Sequence, residues 1–132
     1  MTAKGFHLQV IEVPVRNVKE SVEWYTGMFG LGFCFPYNEG DGEAWLNVNG
    51  MGFGLIHTNE VPKMEFVSSK GERKIFFSFQ VDNIHELYEE MRQKGADVKE
   101  LVYKPGGGYS FQFVDPDGNC MGIWGGWPEE EK

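Results

Sequence analysis

Residues 14–33, PVRNVKESVEWYTGMFGLGF, decide the fold. Asn17 stands where a helix N-cap belongs, and Glu20 three residues on completes a capping-box arrangement. Val18, Val22, Tyr25 and Phe29 then recur at helical spacing, and Gly30 and Gly32 stop the helix. Before it, residues 7–15 (HLQVIEVPV) are rich in Val and Ile and read as a strand. After it come three short strand candidates, 31–37, 43–48 and 52–57. The turns between them carry Asn38–Gly42 and the hairpin pair Asn49-Gly50. Residues 58–72 (TNEVPKMEFVSSKGE) are polar and read as a connecting loop.

The pattern then restarts. Residues 74–81 (KIFFSFQV) read as a strand. Asn83 caps a second helix running to about Gln93, with Ile84, Leu87, Tyr88 and Met91 on one face and Gly95 as its stop. Residues 97–103 read as a strand, KPGGG turns the chain, and 109–114 and 119–124 form a hairpin around DPDGN at 115–119. A frayed tail is expected at 127–132, WPEEEK. The order βαβββ therefore occurs twice. VPVRNVKES at 13–21 aligns with FQVDNIHEL at 79–87, Asn17 against Asn83, an offset of 66. Two copies at so long a period make a pseudo-dyad rather than a solenoid. Each copy is too small to bury its own sheet face, so one α+β domain is expected, with module 1 at about 7–57, a linker at 58–73 and module 2 at about 74–125.

Composition narrows the function classes. The chain has 132 residues, 41% of them hydrophobic, enough for a core. Its net charge is −8, and no basic stripe exists to bind the phosphates of a nucleic acid. No apolar run approaches the roughly 18 residues of a membrane span, and no secretory leader is expected at the N-terminus. Cys34 and Cys120 match no metal spacing and read as free thiols in a reducing cytoplasm. Two excesses need a cause: 18 Gly, and aromatics at 15%.

The two modules, PVRNVKESVEWYTGMFGLGF opening the first and FVDPDGNCMGIWG (113–125) closing the second, resemble the vicinal oxygen chelate superfamily. That family includes glyoxalase I, extradiol dioxygenases, fosfomycin-resistance transferases and bleomycin-resistance proteins. The resemblance implies a mixed sheet curled into a cup, and in the enzymes one divalent metal on its floor. Its four ligands occupy equivalent strand positions, two of them seven residues before the helix-capping Asp or Asn and one three residues after the Asn of DPDGN. In this sequence those positions hold Val10, Gly54, Phe76 and Gly122. None carries a metal-binding donor atom. The expectation is a member without metal or other cofactor. The alternative is an unusual site built from His7, Glu12 or His57.

Strand alternation assigns the rest of the cup face: Leu8 and Glu12, Gly52 and Ile56, Ser78 and Gln80, Cys120 and Trp124. The opposite set, including Val13, Phe53, Leu55, Phe79, Met121 and Ile123, is more uniformly apolar and suits packing under the helices. Gly54 and Gly122 would leave open volume, walled by Phe76 and Trp124. Trp45, Tyr109, Phe111 and Phe113 are further wall candidates, with core packing as the alternative for each. Glu12 is read either as a solvated rim residue or as a counter-ion or catalytic base, the latter if rings bury it. Lys104, beside the GGG turn, could meet an anionic group or simply be solvated. His85 is expected to be exposed and His57 to point away from the cup.

Three functions fit. The first is a metal-free binding protein of the bleomycin-resistance kind, with a small cationic or aromatic ligand in an aromatic-lined cup, favoured by the negative charge and the rings. The second is a metal-free enzyme using Glu12 on a small carbonyl compound. The third is a metal-dependent lyase or dioxygenase. In each, the resemblance implies a homodimer.

Overall fold

Asn17 starts the first helix. Its backbone is extended and its side chain accepts a hydrogen bond from the Glu20 amide at 2.9 Å, which satisfies one of the helix's orphan donors. The computed structural model describes residues 2–128. Helix α1 (Val18–Phe29) ends at Gly30, whose φ of 66° is left-handed.

The chain forms two compact units, one up to Pro62 and one from Lys63. In the first, β1 (Val10–Val15) leads into α1, followed by β2 (Gly32–Phe33), β3 (Glu43–Val48) and β4 (Met51–His57). The sheet order is β1-β4-β3-β2, with β1 parallel to β4 and the other pairs antiparallel. Asn49 (φ 50°) and Gly50 (φ 91°) both adopt left-handed backbone, the turn that joins Val48 to Met51 with the right strand twist. One sheet face packs under α1. Val13, Val15, Leu46, Phe53 and Leu55 are 0% exposed, and Tyr25 of α1 meets Phe53 edge-on at 5.1 Å. Burying each such side chain contributes roughly 1.5–3 kcal/mol.

The second unit holds β5 (Glu65–Val67), β6 (Arg73–Ile75), β7 (Ser78–Gln80), α2 (Ile84–Gln93), β8 (Asp97–Val98), β9 (Val102–Lys104), β10 (Gly108–Val114) and β11 (Cys120–Trp124). Its main sheet runs β7-β11-β10-β8, with β9 also on β10, and β7 is parallel to β11. This repeats the strand order of the first unit, as the offset of 66 residues implies. Ile84, Leu87 and Met91 of α2 are buried, as are Phe113, Met121 and Ile123 of the sheet. The DPDGN turn is organised by one carboxylate. Asp115 Oδ1 accepts from the amides of Asp117 and Asn119, and Oδ2 accepts from the Asn119 side chain at 3.1 Å. Gly118, at φ 90°, lets the chain turn there.

The class is α+β, as expected, but several elements differ from the sequence reading. The connecting stretch is not a loop throughout: β5 and β6 pair as a hairpin. Its turn is held by Ser68, whose hydroxyl accepts from the amides of Lys70 and Glu72, with Gly71 at φ 83°. The expected strand at 74–81 is divided at Phe76–Phe77, because β6 serves β5 while β7 serves β11. The expected strand at 31–37 shortens to Gly32–Phe33 plus one bond from Cys34 to Trp45. Pro36 follows and has no amide to offer a ladder. Residues 7–9 precede β1 rather than belong to it. The expected strand at 97–103 is split into β8 and β9. Asn83 starts α2 without a side-chain capping bond. No helix among the described residues is long and apolar enough to cross a membrane. The tail expected to fray lies, from residue 129 on, outside the described residues.

The two capping asparagines should behave differently. Asn17→Ala should cost about 1 kcal/mol in urea unfolding. Asn83→Ala should stay within about 0.5 kcal/mol, and equal losses at the two sites would contradict the capping geometry.

Candidate functional site

Each sheet has one face against its helix and one face away from it, and strand register decides which side chains share the second. In the first unit, three rows cross the sheet: Val10–Gly52–Asn47, Glu12–Gly54–Trp45 and Pro14–Ile56–Glu43. Trp45 dominates this face. A Cβ placed on Gly54 would sit 2.7 Å from the Trp45 ring, and one on Gly52 would sit 3.2 Å from it. The indole thus lies flat across two glycines, and its Nε1 donates to Glu43 Oε1 at 3.1 Å. Val10 and Glu12 are exposed on the same face. A cavity of about 410 Å³ lies beside Trp45, bounded by Phe35, Pro36, Asp41 and Glu43.

In the second unit the corresponding rows are Ser78–Gly122–Gln112 and Gln80–Trp124–Ser110. A Cβ on Gly122 would collide with the Ser78 hydroxyl and would come within 2.7 Å of Ile75. Trp124 donates from Nε1 to the Gly107 carbonyl at 2.8 Å, which ties the GGG turn to the sheet. A cavity of about 420 Å³ opens over Gly122, lined by Ile75, Ser78, Val102, Ser110 and Gln112, with Lys99, Glu100 and Lys104 among its charged groups. That volume lies in the range of small-molecule sites, and the lining mixes apolar surface with hydroxyl and amide groups. Cys120, next along β11, lines a smaller neighbouring cavity of about 230 Å³, and its Sγ lies 3.4 Å from Gln112 Oε1. Burial pushes the Cys120 thiol up, against the pull of Lys99.

The family model described as Glyoxalase/Bleomycin resistance protein/Dioxygenase superfamily matches residues 7–121. The chain belongs to this superfamily. Solved structures of the same fold include an integron cassette protein from the mobile metagenome of a Halifax Harbour sewage outfall (23% identity, TM-score 0.72, covering 93% of this chain and 99% of that one). TnmS3, an antibiotic binding protein from a Streptomyces species, is 17% identical (TM-score 0.69, 94% and 98% covered). A variant of the fosfomycin resistance protein FosX from Listeria monocytogenes, complexed with Mn(II) and a dihydroxypropylphosphonic acid, is 16% identical (TM-score 0.72, 98% and 96% covered). At these identities the likeness shows the fold. None of the curated proteins matches the chain.

Superfamily membership raises the question of a metal, and the residues here do not fit one. Val10, Gly54, Phe76 and Gly122 offer no donor. The space a longer side chain would need at Gly54 is filled by Trp45, and that at Gly122 by Ser78 and Ile75. Among the described residues, no three His, Cys, Asp or Glu side chains group to hold an ion. The alternative set is also dispersed in its contacts: His7 turns back to the Gly5 carbonyl, and His57 is exposed at the end of β4.

The other site candidates divide. Gly54 and Gly122 were expected to leave open volume; the rings and side chains around them remove it at the glycines themselves. Tyr109 and Phe111 are wall or core candidates, and both meet α2: Tyr109 meets His85 edge-on at 4.6 Å, and Phe111, 2% exposed, meets Tyr88 at 5.1 Å; Phe111 also borders the cavity over Gly122, and Tyr109 does not. Phe113 is 0% exposed and belongs to the core. Phe76 precedes β7, is 55% exposed and stacks on Phe66 of β5 at 5.9 Å. Gln80 is exposed on β7, and Ser78 and Trp124 lie on the face away from α2. Glu12 is exposed, so the burial that would suit it to act as a base is absent. Lys99, Val102, Ser110 and Gln112 were not singled out from the sequence. Alternation along 109–114 could have found Ser110 and Gln112, since their neighbours are all aromatic.

Gly54→Ala should destabilise the protein by about 1–3 kcal/mol, because the new methyl displaces the indole. In a Trp45→Ala background most of that cost should vanish, and an unchanged cost would show that the ring is not the obstacle. Because the thiolate of Cys120 forms only above the ordinary thiol range, iodoacetamide should label it more slowly near neutral pH than it labels a free small thiol. Labelling at the free-thiol rate would contradict the burial of that sulfur.

Proposed function

We propose that this protein binds a small aromatic organic molecule without a metal, in the cavity over Gly122 on the face of the second sheet away from α2. The observation that carries the reading is the replacement at the chelating positions. Where relatives place donors, this chain has Gly122 under Ser78 and Ile75, beside about 420 Å³ of mixed apolar and polar lining. A pocket of that kind suits reversible binding more than Lewis-acid chemistry. The exposed Val10 and Glu12 of the first unit, with the half-buried Trp45 beside them, are a secondary binding face that offers an indole for stacking. TnmS3, a protein of the same fold, is an antibiotic binding protein, and sequestration of a drug-like molecule is the role proposed here. A homodimer and a reducing cytoplasm, suited to the free Cys34 and Cys120, are part of the same proposal.

The test is a titration of isotope-labelled protein with 1-naphthalenemethanol in excess EDTA, followed by amide NMR. The amides of Ser78, Ser110, Gln112 and Gly122 should shift. Ser110→Phe, which fills the cavity, should weaken binding by about tenfold, or about 1.4 kcal/mol. Shifts that arise only after a divalent ion is added, or none at these amides, would overturn the reading.

A further inference from the structure

The split between β8 and β9 has a consequence for what the cavity accepts. In β8, Asp97 pairs with Val114 and Val98 with Phe113, and the Lys99 amide then bonds the Gln112 carbonyl at 2.7 Å. In β9 the register has moved by one: Val102 pairs with Ser110 and Lys104 with Gly108. Glu100 and Leu101 therefore both stand opposite Phe111, which is a β-bulge. Lys99 and Lys104 are five residues apart and would face opposite sides of a regular strand. The extra residue puts both on the side of Ser110 and Gln112, and both line the cavity over Gly122.

The electrostatics follow from that placement. Lys74 and Arg73, nearby on β6, are paired with Glu72 and Glu65. Among the described residues, Lys99 and Lys104 take part in no ion pair, and Glu100 is the one acidic group in the same lining. The cavity thus carries two cations to one anion in a chain whose net charge is −8. Its floor offers the Ser78 and Ser110 hydroxyls and the Gln112 amide, which donate to oxyanions. Whole-chain charge favours a cation at long range, but a bound ligand meets the local groups at contact distance, where unscreened charge dominates.

We propose that the cavity recognises an anionic group, a carboxylate, phosphonate or sulfonate, on the aromatic molecule it holds, with Lys99 and Lys104 as its two cationic contacts. This rests on the metal-free binding reading above and replaces the cationic ligand suggested by net charge. The experiment compares three probes of one shape: 1-naphthoate, 1-naphthalenemethanol and 1-naphthylmethylammonium, each titrated by amide NMR in EDTA. Naphthoate should bind about tenfold tighter than the ammonium probe. The Lys99→Gln/Lys104→Gln double variant should abolish that preference. Equal or tighter binding of the ammonium probe, or a preference that survives the double variant, would overturn the anion assignment and leave the binding reading standing. Failure of all three probes to shift the amides of Ser78, Ser110, Gln112 and Gly122 would overturn both.

Discussion

The Trp45 indole lies on Gly54 and Gly52 so closely that a single methyl group at either position would press against the ring. This contact is the constraint from which the functional reading follows. An aromatic ring can lie flat on a sheet only where the strand beneath it lacks side chains, and the glycines of β4 supply that bare strip. The same strip is where a chelating relative would need a long donor side chain. Packing and coordination therefore compete for one volume, and in this chain packing occupies it. Gly122 repeats the arrangement in the second unit with Ser78 and Ile75 in place of the ring.

Both contacts depend on register. Parallel pairing of β1 with β4, and of β7 with β11, aligns Glu12 with Gly54 and Ser78 with Gly122. A one-residue slip in either sheet would turn these faces inside out and send Phe53, Leu55, Met121 and Ile123 into solvent. The apolar core thus holds the open faces in place: burial on the helix side specifies what stands on the other side. The bulge in the strand pair beside β10 breaks alternation, and there it gathers charge into a cavity that otherwise has little.

Much of this was legible in the sequence. The helix from Val18 to Phe29, its Asn17 cap, the Asn49-Gly50 hairpin and the doubled βαβββ order all follow from local chemistry, because caps, turns and periodicity act over a few residues. Alternation also separated the buried Val13, Phe53, Leu55, Met121 and Ile123 from the other face. The failures share a different cause. The β5–β6 hairpin, the break at Phe76–Phe77 and the bulge at Glu100–Leu101 depend on which strand the chain pairs with, and a local pattern carries no partner. Aromatic residues suit core and pocket alike, so the sequence cannot separate Tyr109, which meets His85 of α2, from Phe111, which meets Tyr88 and also borders the cavity. Gly54 read as space because the ring that fills it comes from another strand.

The central claim is that the chelating positions of this superfamily have become packing positions here. Metal content measured by mass spectrometry tests it most directly, on protein equilibrated separately with excess Mn²⁺, Fe²⁺, Ni²⁺ and Zn²⁺ and then freed of unbound ion. The account predicts well under one equivalent of any of them per chain. One tightly held equivalent per chain, lost on substitution of residues near Gly54 or Gly122, would contradict it.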